Sequence, residues 1–391
     1  MLILLHWTLF RLVTSVFAAL ISSRHPLTDL EKAVGLFPIN VLNRGWLERA
    51  CLSPWLRWDA AWYQRIVENG YDALDGTAQF HPLFPALASL FHRLGFHPLL
   101  SLLLVSSASS LAFLYIFYRL ARLDLSAVDA RFSMKLMLLA PAAFVLFAPY
   151  SEGLFLLCAA SSFYWARRQR WWLAAVAGGL ATLTRQQGLL LIFPIVWEMW
   201  ADSGACWRYF RAGWRKYLSL GFIPLSYALW IGYRSIILEE TSLAFRTVHQ
   251  FIYSWLISPS AVEVVPQQSF TWPWRAIWLA IQKLSGQPDV DIWVNCFLAG
   301  IFICLLGLAW KNMKPTYRVY AILVALVSFS YHTGPFHPYM GLPRHLMLAI
   351  PVFISAAPAI NRPIVRPLTL TLLGIAYFLQ LFLYALEAWV V

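Results

Sequence analysis

The sequence predicts an all-α polytopic membrane protein of about eleven spans, and three observations carry that reading. Apolar and aromatic residues make up 60% of the 391 positions, charged residues only 12%, and mean hydropathy is +0.63. A soluble domain carries about 25% charged residues. Apolar runs of roughly 17–25 residues recur along the chain, the length a helix needs to cross a bilayer. The basic residues sit in short clusters between those runs, and the clusters share one side when the spans alternate.

In order, the spans are read at 3–22, 98–119, 133–149, 153–167, 171–184, 188–203, 217–237, 292–310, 318–333, 345–360 and 367–389. The first run, MLILLHWTLFRLVTSVFAALISS, lacks a basic leader, carries Arg11 in its middle and has no clean small-x-small site. It is therefore expected to stay as a span and not to be cleaved as a signal peptide. The basic clusters are Arg119, Arg122, Arg131 and Lys135; Arg167, Arg168 and Arg170; Arg208, Arg211, Arg215 and Lys216; Lys311, Lys314 and Arg318; Arg362 and Arg366. By the positive-inside rule their side is the cytoplasm. The other face receives two long external loops, 23–97 and 238–291, and three short corners at 148–152, 184–188 and 331–344. Segment 271–283, TWPWRAIWLAIQK, is amphipathic enough to lie in the headgroup region. No internal repeat or low-complexity linker divides the chain, so residues 1–391 form one transmembrane domain.

Several classes are excluded on the same grounds. The net charge of +12 is spent on orienting helices, and no basic stretch forms a soluble nucleic-acid face. Cys51, Cys158, Cys206, Cys296 and Cys304 show no CxxC and no His/Cys ligand spacing, so neither a disulfide framework nor a metal is expected. No cofactor is implied.

Charge at membrane depth is expensive and needs a reason. Asp59, His81, Glu152, Arg185, Arg344 and His345 converge on the non-cytoplasmic face from separate parts of the sequence. Asp59 lies in Arg57-Trp58-Asp59-Ala60-Ala61-Trp62-Tyr63. An aspartate among aromatic rings at an interface can become a base strong enough to take a hydroxyl proton. It can equally be the N-cap of a helix running into Trp62, Tyr63 and Glu68, and the spacing leaves both open. His81 stands before Pro82 and Pro85, which fix a turn and a helix start. It can bind phosphate, bind a hydroxyl or serve the turn alone. Arg185, beside Gln186, is a natural phosphate clamp at a span end, and Arg344 with His345 offers a second cation. Arg57, Trp58, Trp62, Tyr63, Tyr150 and Glu152 complete the candidates near these groups, with Gln250 in the second loop. One acid with two or three cations beside lipid points to a lipid phosphate as substrate.

The ordered segments RWDAAWYQRIVENGY, FHPLFPALASLF and PYSEGLFLLCAASSFYWARRQRWWLAAVAGGLATLTRQQGLLLIFP resemble the GPI mannosyltransferase 2 family (phosphatidylinositol-glycan class V) and its bacterial relatives. Leu243, Ala244 and Phe245 with Gln250 and Trp255 resemble that family's loop motif, and the segment from Arg344 to Phe353 resembles its late Arg-Tyr element. The resemblance implies a GT-C glycosyltransferase fold and transfer of mannose, or another hexose, from a polyprenyl phosphate to a lipid- or glycan-borne hydroxyl. It implies Asp59 as base, Arg185 and Arg344 as phosphate-binding cations, and a site on the outer or lumenal side of a cell or endoplasmic-reticulum membrane. The chain departs from the family at His81, at His345 and at Glu239-Glu240, which favours a bacterial enzyme. A flippase of lipid-linked sugars, or another enzyme of lipid phosphates, is the rival reading. The absence of repeats and the placing of polar groups at span ends weigh against a transporter.

Overall fold

The computed structural model describes residues 2–24, 51–72, 76–238, 269–286, 290–333 and 338–386. In chain order the helices are α1 (Leu2–Arg24), α2 (Asp59–Asn69), α3 (Leu83–Arg93), α4 (Pro98–Ala121), α5 (Ala127–Leu138), α6 (Glu152–Ala166), α7 (Trp171–Thr184), α8 (Ile192–Asp202), α9 (Trp207–Ala212), α10 (Trp214–Tyr217), α11 (Phe222–Ile236), α12 (Pro273–Gly286), α13 (Val290–Ala309), α14 (Pro315–Ser330), α15 (Leu342–Met347), α16 (Ile350–Ile360) and α17 (Val365–Ala385). Among the described residues the only strands are β1 (Ser269–Phe270) and β2 (Tyr331–His332), paired antiparallel with Phe270 opposite Tyr331.

Four helical runs are long and apolar enough to cross a bilayer: α1, α4, Val290–Asn312 and α17. The other expected spans are shorter or come in two pieces. Residues 133–149 divide into α5 and a 3-10 turn at Pro141–Leu146, and 188–203 into a 3-10 turn at Gln186–Leu191 and α8. Residues 345–360 divide into α15 and α16. Pro141, Pro343 and Pro351 stand in the first turn of their pieces, where a missing N–H costs nothing. Of the expected loop helices, 271–283 forms most of α12, while α2 and α3 lie in the first long loop.

The outward faces are apolar, as lipid requires. On α17, Leu368, Leu372, Ile375 and Leu379 form an exposed stripe at helical spacing, while Tyr377, Gln380, Leu381 and Tyr384 are buried. Leu5, Leu9, Leu12 and Val16 do the same on α1. These stripes, with the four apolar runs, make the chain a multi-pass membrane protein. Arg11, inside α1, is satisfied by the carbonyl of Phe147 and lies 5.5 Å over the Trp55 ring.

Close helix approach comes from small residues, the general solution where apolar burial drives no association. A Cβ on Gly153 would lie 3.4 Å from the Ser106 carbonyl, so the start of α6 rests on the α4 backbone. Gly178 and Gly179 bring α7 against Ile223, Phe222 and Ser226 of α11. Ser106 donates to the Ala148 carbonyl at 2.5 Å and Ser162 to that of Ala174 at 2.8 Å.

The two ends of the bundle carry different chemistry. At one end Arg167 forks onto Asp124 at 2.8 and 2.9 Å, Lys314 joins at 2.6 Å, and Arg167 also lies 3.6 Å from Glu198. Burial works against charge on Asp124, yet Arg167 and Lys314 outweigh it and hold its carboxyl below the ordinary range. Arg167 and Lys314 come from two of the basic clusters expected on the cytoplasmic side. Glu152 begins α6 and Arg167 follows its last residue, so about fifteen residues, or roughly 22 Å, separate Glu152 from this cluster.

The turn after α7 depends on Gly188, where a Cβ would stand 2.3 Å from the Thr182 nitrogen. Backbone cannot yield as a side-chain tip does. Gly188→Ala is expected to destabilise the protein by about 1–3 kcal/mol, the usual range for overpacking, read as a lower melting temperature in lipid nanodiscs. An unchanged melt would show that the turn tolerates displacement.

Candidate active site

The site is assembled from four helix ends, and its centre is Glu152. This carboxylate opens α6 with a side chain 0% exposed, and its Oε1 accepts from Arg185 at 2.5 Å. Arg344 Nε lies 3.3 Å from the same oxygen. A terminal nitrogen of Arg344 meets Asp59 Oδ2 at 2.5 Å, and its guanidinium lies 5.4 Å over the Tyr150 ring. Arg185 also lies 3.4 Å from Ser151 Oγ and from His345 Nδ1, which must be the unprotonated nitrogen to accept. Exposure increases along the network, with Glu152 sealed, Arg344 9% and Arg185 12% exposed, and Asp59 23%.

Each position has a local cause. Arg185 follows α7 in extended backbone, and the 3-10 turn at Gln186–Leu191 begins with the next residue. Arg344 sits in α15, whose N-cap Gly341 has φ 69°, in the left-handed region that glycine adopts freely. Asp59 follows Trp58, whose φ of 49° is rare for a side chain of this size. Such backbone costs about 1–3 kcal/mol and persists only where its surroundings hold it. The N-cap alternative for Asp59 is corrected here: Trp58 occupies the cap, Asp59 is the first helical residue, and its carboxylate is engaged by Arg344.

The count of charges is corrected as well. One acid with two or three cations was expected, but two carboxylates face two guanidiniums. Removing one member of a buried pair costs about 3–5 kcal/mol, because its partner keeps an uncompensated charge. Glu152 Oε2 and Arg185 Nε are buried and have no hydrogen-bond partner among the described residues. The cluster therefore keeps polar capacity beyond its internal pairs.

The other expected residues divide around this cluster. Tyr150 donates its hydroxyl to the Arg57 carbonyl at 3.0 Å, and the Arg57 guanidinium turns to the carbonyls of Ser53 and Leu56 at 2.9 and 3.1 Å. Trp62 stacks on Phe80 at 6.0 Å, and Tyr63 packs edge-on against Phe80 and Phe84 at 5.0 and 4.9 Å. Gln186 begins its 3-10 turn and makes no side-chain hydrogen bond among the described residues. Gln250, and with it the 243–255 motif, lies outside the described residues. The sequence reading missed Ser151 and Tyr331, which packs edge-on against His345 at 5.6 Å.

His81 is held by backbone and set beside the aromatic rings of α11. Its Nδ1 donates to the Thr182 carbonyl at 2.7 Å, and its ring lies near Tyr227 and Trp230 of α11. Burial lowers its pKa to about 4; the Thr182 carbonyl opposes this, while Arg185 and Arg234 add to the lowering. The imidazole is neutral at physiological pH.

A multi-pass membrane protein with an ion-paired cluster across its helix ends is the class these features define. The family model described as Mannosyltransferase (PIG-V) matches residues 3–202, and the chain belongs to that family. No curated protein matches the sequence. Among solved structures, ArnT from Cupriavidus metallidurans bound to undecaprenyl phosphate is similar at 15% identity and a TM-score of 0.49, covering 78% of this chain and 55% of that one. The apo state of the same protein is similar at 17% identity and a TM-score of 0.46, with 78% and 54% covered. The chain thus spans about half the length of these structures.

The titration of His81 sets a pH test. Its folded pKa of about 4 lies below the ordinary 6.5. The unfolded chain therefore binds a proton first, and stability present above 6.5 is lost as pH falls toward 4. Wild-type melting temperature should fall more steeply across that window than that of His81→Gln. Parallel curves would contradict a neutral, buried His81.

Proposed function

We propose that this protein is a GT-C glycosyltransferase that moves a hexose, mannose by its family, from a polyprenyl phosphate to a lipid- or glycan-borne hydroxyl. The observation that carries the proposal is the pairing of Asp59 with Arg344 in a cluster whose two guanidiniums share Glu152. In this reading the donor phosphate is an anion that competes with Asp59 for Arg344 and takes the remaining capacity of Arg185. Asp59, released from Arg344, accepts the proton of the acceptor hydroxyl. The hydroxyl oxygen attacks the anomeric carbon, the bond from that carbon to the phosphate oxygen breaks, and polyprenyl phosphate leaves with the electron pair. One displacement inverts the anomeric centre through an oxocarbenium-like state. The leaving phosphate is held by cations, so a strong general acid is unnecessary.

The reading places the chemistry on the non-cytoplasmic face, because the Asp59 cluster lies at the bundle end opposite the basic clusters around Arg167. Trp58, Trp62, Tyr63 and Tyr150 would shield the reacting centre from water, which strengthens every charge interaction inside it. His345, held as an acceptor by Arg185, would orient that guanidinium.

The test uses full-length protein in nanodiscs, labelled polyprenyl-phosphate mannose, and lipids extracted from the producing membrane as acceptor. Asp59→Asn should lower transfer by about a hundredfold or more, the scale of a lost general base. Arg185→Ala should raise the donor KM about tenfold or abolish turnover, the scale of a lost charge-assisted hydrogen bond. Near wild-type transfer by Asp59→Asn would remove the proposed base.

A further inference from the structure

We infer that the aromatic corner around His81 is the acceptor subsite and that it takes a pyranose ring; this rests on the transferase reading and adds the place and chemistry of the second substrate. The corner is built from three segments: the turn before α3, α11, and the chain just after α2, which supplies Tyr71. His81 comes from the turn before α3, while Tyr227, Trp230 and Tyr233 come from α11. The rings of His81 and Tyr227 are nearly parallel at 6.3 Å, those of Trp230 and Tyr233 at 5.7 Å, and Tyr71 packs on Trp230 at 5.0 Å.

Packing alone does not explain this composition. Trp230 is 3% exposed, yet its Nε1–H has no hydrogen-bond partner among the described residues, and neither has the buried Tyr71 hydroxyl. A buried donor left unpaired costs about 1–3 kcal/mol, and at position 71 phenylalanine would supply the same ring without that cost. Ring faces beside unmatched N–H and O–H groups are the complement of a sugar, whose C–H face is apolar and whose edge is hydroxylated. Tyr233 is 40% exposed, and Tyr227 and His81 are half-buried, so the corner has an accessible edge.

The corner has its own cation, Arg234, one turn beyond Trp230 on α11 and 5.9 Å from that ring, but its hydrogen-bonding imidazole is neutral. His81 holds no charge at neutral pH, and its Nδ1–H is committed to Thr182, three residues before Arg185. The imidazole Nε2 makes no hydrogen bond among the described residues and can accept from a sugar hydroxyl. Trp62 and Tyr63 pack on Phe80, so α2, which begins at Asp59, is joined to the turn that carries His81. A ring held at His81 would then lie beside the segment that carries Arg185, against the same turn to which α2 is joined.

The experiment is saturation-transfer NMR on the full chain in nanodiscs with hexyl α-D-mannopyranoside as probe, and with 1-hexanol and empty nanodiscs as controls. In the wild type the pyranose C–H protons should receive saturation. The signal should fall at least fivefold in Trp230→Leu and in Tyr227→Leu. Tyr227 is only half-buried, so its variant guards against a folding failure at Trp230, and Trp230→Phe should retain part of the signal. Saturation confined to the hexyl chain, or pyranose saturation unchanged in both leucine variants, would overturn the inference. Consumption of polyprenyl-phosphate mannose by the wild type, assayed separately, keeps the two failures apart. A consumed donor with no pyranose contact sinks the subsite alone, whereas an inert donor sinks the transferase reading.

Discussion

A single carboxylate with no exposed surface, Glu152, holds two arginines that the chain delivers from distant helix ends. It opens α6, where the positive end of the helix dipole favours a negative charge. Gly153 then presses this helix start onto the α4 backbone, so the carboxylate is fixed in place by close packing. Arg185 and Arg344 follow Glu152, and Asp59 follows Arg344. The order matters because each buried charge is tolerable only with its neighbour present. Asp59, the most exposed member, is the one an incoming anion displaces at least cost.

Span-by-span organisation was legible because it follows from composition. Apolar runs mark helices, and clusters such as Arg167 to Arg170 mark the side. The breaks in those helices were less legible. Pro141 and Pro351 announce interruptions, but whether a proline kinks a span or starts a new piece depends on neighbours that a run of hydropathy does not contain.

At the site, the participants could be named and their pairing could not. Asp59 and Arg344 are 285 residues apart, and no periodic pattern links them. Local preference allowed Asp59 as an N-cap as readily as a base, since aspartate caps helices well. Tertiary contact with Arg344 won, with Trp58 taking the strained cap position. Glu152 is legible as a candidate, but its central place is not, because a glutamate at a helix start already has an ordinary electrostatic explanation. Tyr227 and Trp230 were absorbed into the 217–237 span as apolar bulk, and only their neighbourhood with His81 gives them meaning.

The most direct test of a Glu152-centred anion site is binding of a lipid phosphate without turnover. A short-chain polyprenyl phosphate titrated into nanodiscs carrying the full chain can be followed by its ³¹P resonance. A saturable shift in the wild type, lost in Arg185→Ala and weakened at least tenfold in Arg344→Lys, is the expected result, since a lysine cannot bridge Asp59 and Glu152 with a planar fork. An identical shift in the wild type and Arg185→Ala would contradict it.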